Sequence, residues 1–271
     1  QPKAFVIKPE CSVQIVNAKG YNGDPGFHGG SPARSMAGLS GTAMVSAGMS
    51  TGLDSGVFPA WQYAGYACPM ETPLLRLDQL DCGSVRNVNF TLAAGECIAI
   101  IGPSGSGKSR LLRAIADLDP HGGEVWLRGE LCSRMPAHRW RRRVGYLPAE
   151  SAWWGELVAD HMPDPGAERL AELGLPAEVL GWQVSRLSSG ERQRLALLRL
   201  LAGRPEVLLL DEPTANLDPD SAERVERLLA RRQAEGAGLL WVSHDEAQVR
   251  RVADRGFQIV AGRLEALPQW A

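Results

Sequence analysis

No stretch of the chain approaches the roughly 20 consecutive apolar residues that a membrane-crossing helix needs. The sequence therefore predicts that the chain does not itself span a membrane. An excess of one charge is also missing: 29 Lys and Arg face 31 Asp and Glu, a formal net charge of −2. Proteins that grip nucleic acid show a basic excess, so no nucleic-acid partner is expected. Cysteine is sparse. The five (Cys11, Cys68, Cys82, Cys97 and Cys132) form no C-x-x-C pair, which argues against a zinc site or a disulfide framework and predicts free, buried thiols in a reducing compartment. Heptads, the mark of long coiled coils, are absent as well. What is present is 271 residues with 44% hydrophobic content, enough for one large domain or two with a sizeable core.

Residues 1–69 differ from the rest. From Gly20 to Gly56 the chain is dense in Gly, Ser, Ala and Pro and has neither a helix nor a strand period. This part is expected to be disordered, with a short strand at Ser12–Val16. An alternative expectation is that 1–69 is a non-native extension and that Met70 is the true start. Order begins near Leu74. Leu75–Asp78 and Val85–Leu92 alternate apolar and polar residues like half-buried antiparallel strands.

The chemistry begins at Gly102-Pro103-Ser104-Gly105-Ser106-Gly107-Lys108-Ser109, between the apolar run Cys97–Ile101 and the helical run Arg110–Ala116. Strand, glycine-rich loop and helix is the context in which G-x-x-x-x-G-K-[ST] binds phosphate. Glycines let backbone N–H groups turn inward at phosphate oxygens, and the helix adds free donors and a positive dipole end. Lys108 would bridge the β- and γ-phosphates, and Ser109 would offer a hydroxyl to Mg²⁺. Val207–Leu210 is an all-apolar strand of the kind a buried parallel sheet requires, and it ends in Asp211-Glu212. Asp211 is placed to hold Mg²⁺ and Glu212 to act on the attacking water. Leu187-Ser188-Ser189-Gly190-Glu191 opens a helix that could bind an anion. Trp241-Val242-Ser243-His244 ends a strand in a histidine.

Together, in this order, these stretches resemble the ATP-binding cassette (ABC) ATPases over about Leu74 to Leu267: Walker A, an LSGGQ-like signature, Walker B, a D-loop at Asn216-Leu217-Asp218, and the switch histidine. The resemblance implies an α/β fold: a P-loop NTPase core with a mostly parallel sheet flanked by helices, an antiparallel N-terminal β-subdomain and a short helical subdomain. It places the ABC ATPase domain at 70–271 and the helical subdomain at about 150–186. It also implies ATP and Mg²⁺ as ligand and cofactor, with residues 102–110 binding ATP and Glu212 and His244 catalytic. Ser188, Ser189, Gly190 and Glu191 would contact ATP across a homodimer of cassettes, with Asp218 in the D-loop. Ser109 and Asp211 would hold Mg²⁺.

Four departures from the family pattern stand out. The turn Asp81-Cys82-Gly83-Ser84 carries no aromatic to stack on adenine. Arg110 replaces the usual Thr or Ser, and either adds charge near the α-phosphate or folds away. Ala149 replaces a Gln, leaving the adjacent Glu150 as the nearest oxygen donor to Mg²⁺. The signature has Ser189 for a Gly and Glu191 for a Gln. Two further features are ambiguous. The run Arg139–Arg143 is expected to be a solvated face. Trp153 and Trp154 either anchor a partner or pack in the helical subdomain.

The leading expectation is an ATP-hydrolysing subunit, peripheral on the cytoplasmic face of the inner (plasma) membrane, driving a separate integral membrane permease. The alternatives are a non-hydrolysing nucleotide-binding regulatory module, and a soluble ABC-type ATPase acting in repair or translation.

Overall fold

The structure is a computed structural model that describes residues 72–268. The expectations for 1–69, including the strand at Ser12–Val16 and a start at Met70, lie outside the described residues.

Two sheets form the frame. The first is antiparallel, in the order β2 (Val85–Leu92), β1 (Leu75–Cys82), β4 (Gly122–Leu127), β5 (Glu130–Leu131). In β1 the side chains of Leu75, Leu77, Leu80 and Cys82 are buried while Arg76 and Asp78 are exposed, the alternation of a sheet with one wet face. The second sheet runs β10 (Arg263–Ala266), β9 (Arg255–Val260), β3 (Cys97–Ile101), β8 (Gly238–Val242), β7 (Val207–Asp211), β6 (Val144–Leu147). Its pairs are parallel except β9 with the closing strand β10. This is the predicted α/β fold: a parallel core sheet with helices and an antiparallel β-subdomain.

Strand β7 shows why this sheet has to be covered on both faces. Leu209 joins one buried cluster with Leu111 and Leu112, whereas Leu208 and Leu210 join another with Leu195, Leu198 and Leu229. Neighbouring residues point to opposite faces, and here both faces are core. Each fully buried side chain of this kind contributes about 1.5–3 kcal/mol. The covering helices are α1 (Lys108–Ile115), α4 (Ser189–Ala202) and α5 (Pro219–Ala234), with shorter α2 (Ala137–Arg143), α3 (Ala167–Glu172) and α6 (Glu246–Val252). The basic run lies on α2, where Trp140 is fully buried and donates Nε1–H to the Ile115 carbonyl at 2.9 Å, while Arg139, Arg141 and Arg142 are exposed.

Between 150 and 186 the chain has only the six-residue α3 and three short 3₁₀ turns, Val158–His161, Ala177–Gly181 and Val184–Arg186. Pro163, Pro165, Gly166, Gly174 and Pro176 interrupt it too often for a longer helix to propagate. The two tryptophans differ in burial. Trp153 packs partly against the core, whereas Trp154 is 74% exposed. Cys82, Cys97 and Cys132 are buried free thiols, and burial pushes the Cys97 thiol up to about 12.

Candidate active site

Strands β3, β8, β7 and β6 point the same way, so the loops at their carboxyl ends open along one edge of the sheet, where parallel sheets hold ligands. The loop after β3 carries the candidate phosphate-binding residues. Gly107 closes it at φ 107° with no side-chain cap, and α1 follows directly. A Cβ on Gly107 would lie 2.5 Å from Val85 Cγ2, so only glycine lets the loop pass the start of β2. Lys108 is buried, and its ammonium donates to the carbonyls of Gly102 (2.8 Å) and Pro103 (3.0 Å). Burial lowers its pKa, while the charges of Glu212 and Asp211 oppose that shift. Ser106 Oγ is buried without a hydrogen-bond partner, an unspent polar group inside the loop.

Strand β7 delivers Asp211, which is buried, and then Glu212, whose φ is +50°. A non-glycine residue in this left-handed region costs on the order of 1–3 kcal/mol and needs surrounding structure to hold it. Glu212 N–H donates to the Val242 carbonyl of β8 at 3.0 Å. On the neighbouring loop, His244 Nε2 lies 2.8 Å from Glu212 Oε1. Glu212, His244, Lys108 and Asp211 are therefore drawn together from three strand ends.

Tyr146, on β6, was not among the residues singled out from the sequence. Its hydroxyl donates to Asp211 Oδ2 at 3.2 Å. Burial raises the phenol pKa, and the Asp211 charge adds to the shift, so Tyr146 stays protonated as a donor. The parallel register pairs Tyr146 with Leu209, two residues before Asp211; sequence spacing carries no trace of this. Ser109 and Asp211 supply hard oxygens suited to Mg²⁺. No cluster of three or more His, Cys, Asp or Glu forms among the described residues. Glu150 is exposed and hydrogen-bonded to no described residue.

The signature residues form a separate group. Ser188 caps α4 with a complete capping box: its Oγ accepts from Glu191 N–H at 3.2 Å, and Glu191 Oε2 accepts from Ser188 N–H and Oγ–H, each at 2.8 Å. The Ser188 backbone N–H is the first cause holding the Glu191 carboxyl below its usual range. Ser189 is the first residue of the helix. A Cβ on Gly190 would sit 3.1 Å from the Asn216 carbonyl, so the signature packs on the D-loop of its own chain. There Asp218 caps α5, accepting from Ser221 N–H at 3.0 Å. Among the described residues no hydrogen bond joins this group to residues 102–109. Arg110 is exposed and lies across the β1–β2 turn, where a Cβ on Gly83 would be 2.2 Å from its Nη1.

A family model described as ABC transporter matches residues 85–215. The probable iron export ATP-binding protein FetA of Escherichia coli (strain K12) is 35% identical over 197 residues, covering 66% of this chain and 88% of that protein. The lipoprotein-releasing system ATP-binding protein LolD of Maricaulis maris (strain MCS10) is 40% identical over 202 residues, covering 66% and 87%. Among solved structures, a dimeric ATP-binding cassette in a post-hydrolysis state bound to ADP and Pi superposes with a TM-score of 0.59 at 25% identity, covering 70% of this chain and 96% of that one.

Proposed function

Because the chain belongs to the ABC transporter family of ATP-binding proteins, we propose that it hydrolyses ATP to energise transport through a separate integral membrane permease. The observation that carries the hydrolysing reading is the 2.8 Å contact between Glu212 and His244 beside the buried Lys108. A chain that only bound nucleotide would have no use for a base held this way at a strained backbone position. In this reading Lys108 exchanges its two loop carbonyls for β- and γ-phosphate oxygens. Residues 102–110 wrap the triphosphate, and Ser106 Oγ gains the partner it lacks. Glu212 accepts a proton from water as that water attacks the γ-phosphorus, and the bond to the bridging oxygen of ADP breaks. His244 holds the Glu212 carboxylate in position. Mg²⁺, held by Ser109 and Asp211 with Glu150 as a further oxygen donor, would offset phosphate charge.

The separation of the signature group from the phosphate loop supports a homodimer of cassettes. Ser188, Ser189, Gly190 and Glu191 of one subunit would close over the ATP of the other, and hydrolysis would remove the contact that holds them together. The part of FetA in iron export and of LolD in lipoprotein release supports a transport role, and with it a peripheral position at the membrane; the cytoplasmic face follows from the proposed use of ATP. No helix among the described residues is long and apolar enough to cross a membrane. The test is Glu212→Gln. The amide keeps the shape but takes no proton, so hydrolysis should fall about 10²–10⁴-fold, with ATP affinity kept and an ATP-bound dimer appearing by size exclusion with light scattering. Wild-type turnover, or a variant that stays monomeric with saturating ATP, would overturn the reading.

A further inference from the structure

Two loops diverge beyond the last backbone bond between β7 and β8, Glu212 N–H to the Val242 carbonyl. One runs from Glu212 through Thr214; the other begins at Ser243 and carries His244. Glu212 sits at a left-handed φ that it would leave if free. Among the described residues, one buried side chain spans the gap. Gln248, on α6, is 4% exposed. Its Oε1 accepts from Ser243 Oγ at 3.0 Å and from Thr214 Oγ1 at 3.1 Å. Its Nε2 donates to Thr214 Oγ1 at 2.8 Å and to Glu226 Oε1 at 2.8 Å. It therefore grips the residue just before His244 and the residue two after Glu212.

We infer that Gln248 is the positioning residue that holds Glu212 and His244 in contact, and that Glu226 and Arg251 set the direction in which its amide points. This rests on the hydrolysing reading proposed above.

The orientation follows from charge. Glu226 is nearly buried and takes two bonds from Arg251, at 2.9 and 2.8 Å. Burial alone would raise its carboxyl pKa, but the bonds from Arg251 and Gln248 hold it below the usual range. An ionised carboxylate only accepts, so Nε2 of Gln248 must face it; the second Nε2 hydrogen reaches Thr214 Oγ1, and Oε1 is left to accept from Ser243 and Thr214. The hydroxyl of Ser243 then donates to Gln248 and also accepts from Asp245 N–H at 3.1 Å, which fixes the loop on both sides of His244. A cavity of about 780 Å³ runs from Glu212 and His244 to Gln248 and Arg251.

The experiment compares Gln248→Leu, Gln248→Glu and the double variant Gln248→Glu/Glu226→Gln. The leucine variant removes both grips. It should lower kcat for ATP on the order of 10–100-fold, the usual penalty for misplacing a reacting group by about an ångström, and change KM less than twofold. Gln248→Glu sets two carboxylates face to face and should be at least as damaging. The double variant reverses donor and acceptor across the same contact and should recover most of the activity. Ring ¹⁵N signals of His244 give a reading that does not depend on turnover. In Gln248→Leu they should move towards those of Glu212→Gln, in which the carboxylate contact is absent, and return in the double variant. A purely structural role would lower thermal stability but leave the His244 signals and kcat of the folded variant at wild-type values. That outcome overturns the proposal, as does a double variant no better than Gln248→Glu. If the wild type bound ATP without hydrolysing it, the proposed function would fail, and the His244 signals would still decide this inference.

Discussion

Lys108 and Ser188 each begin a helix that faces phosphate in the proposed mechanism, and they begin it in opposite ways. Before Lys108 come glycines at φ 149°, 79° and 107°, no side chain caps the helix, and a buried serine hydroxyl lacks a partner. Before α4 the chain needs no unusual backbone: Ser188 and Glu191 complete a capping box from their own side chains. The first helix N-terminus is left open and held in shape by the sheet around it. The second is closed by an internal anion, the Glu191 carboxylate. Binding at the first adds contacts to an unspent site. Binding at the second, across a dimer, has to compete with contacts already made within the chain. This difference fits ATP affinity residing in the phosphate loop and the signature acting as a weaker, reversible clasp.

Lys108→Ala should break the comparison at its strong end. It removes a charge-assisted contact to phosphate, and ATP affinity by calorimetry should fall about 100-fold, at roughly 1.4 kcal/mol per tenfold. Wild-type affinity would show that the open N-terminus is not where ATP is held. Ser188→Ala probes the other end. Losing the cap should cost about 1 kcal/mol, a fall in Tm of about 2–4 °C, and it should weaken ATP-driven dimer formation. ATP affinity of the monomer should stay within about twofold; a large loss there would erase the distinction between the two sites. The smallest effect concerns pH. The Glu191 carboxyl is held below its usual range in the folded chain. The stability it contributes is present above the unfolded carboxylate pKa of about 4.3 and is lost as pH falls through the folded value. The difference in Tm between wild type and Glu191→Gln should therefore shrink from pH 6 to pH 3. A constant difference would mean that the capping box holds no ionised carboxylate.

The helix ends were legible because they depend on neighbours in the chain. The start of α4 at the signature, the Pro219 start of α5 after Asp218 and the strand–loop–helix around Lys108 follow from capping and from glycine and proline positions within a few residues. The run 150–186 was harder. It was expected to form a short helical subdomain, and it holds one short helix and three 3₁₀ turns, cut short by its prolines and glycines. Of Trp153 and Trp154 one is packed and the other exposed, although both rings lie against His161 and Arg199.

The sequence by itself determined the identity and order of the phosphate loop, the signature, the strand-end carboxylates and the histidine, because each is a local pattern whose chemistry is carried by adjacent residues. Tertiary structure alone decided which of them touch. Strand order and register set Tyr146 against Asp211, although 65 residues separate them. The turn of α6 brings Gln248 onto Thr214, 34 residues away. The β1–β2 turn gives Arg110 a glycine to lie across. Hydrogen bonds of this range form only once a sheet has closed the intervening chain, so no spacing along the sequence records them.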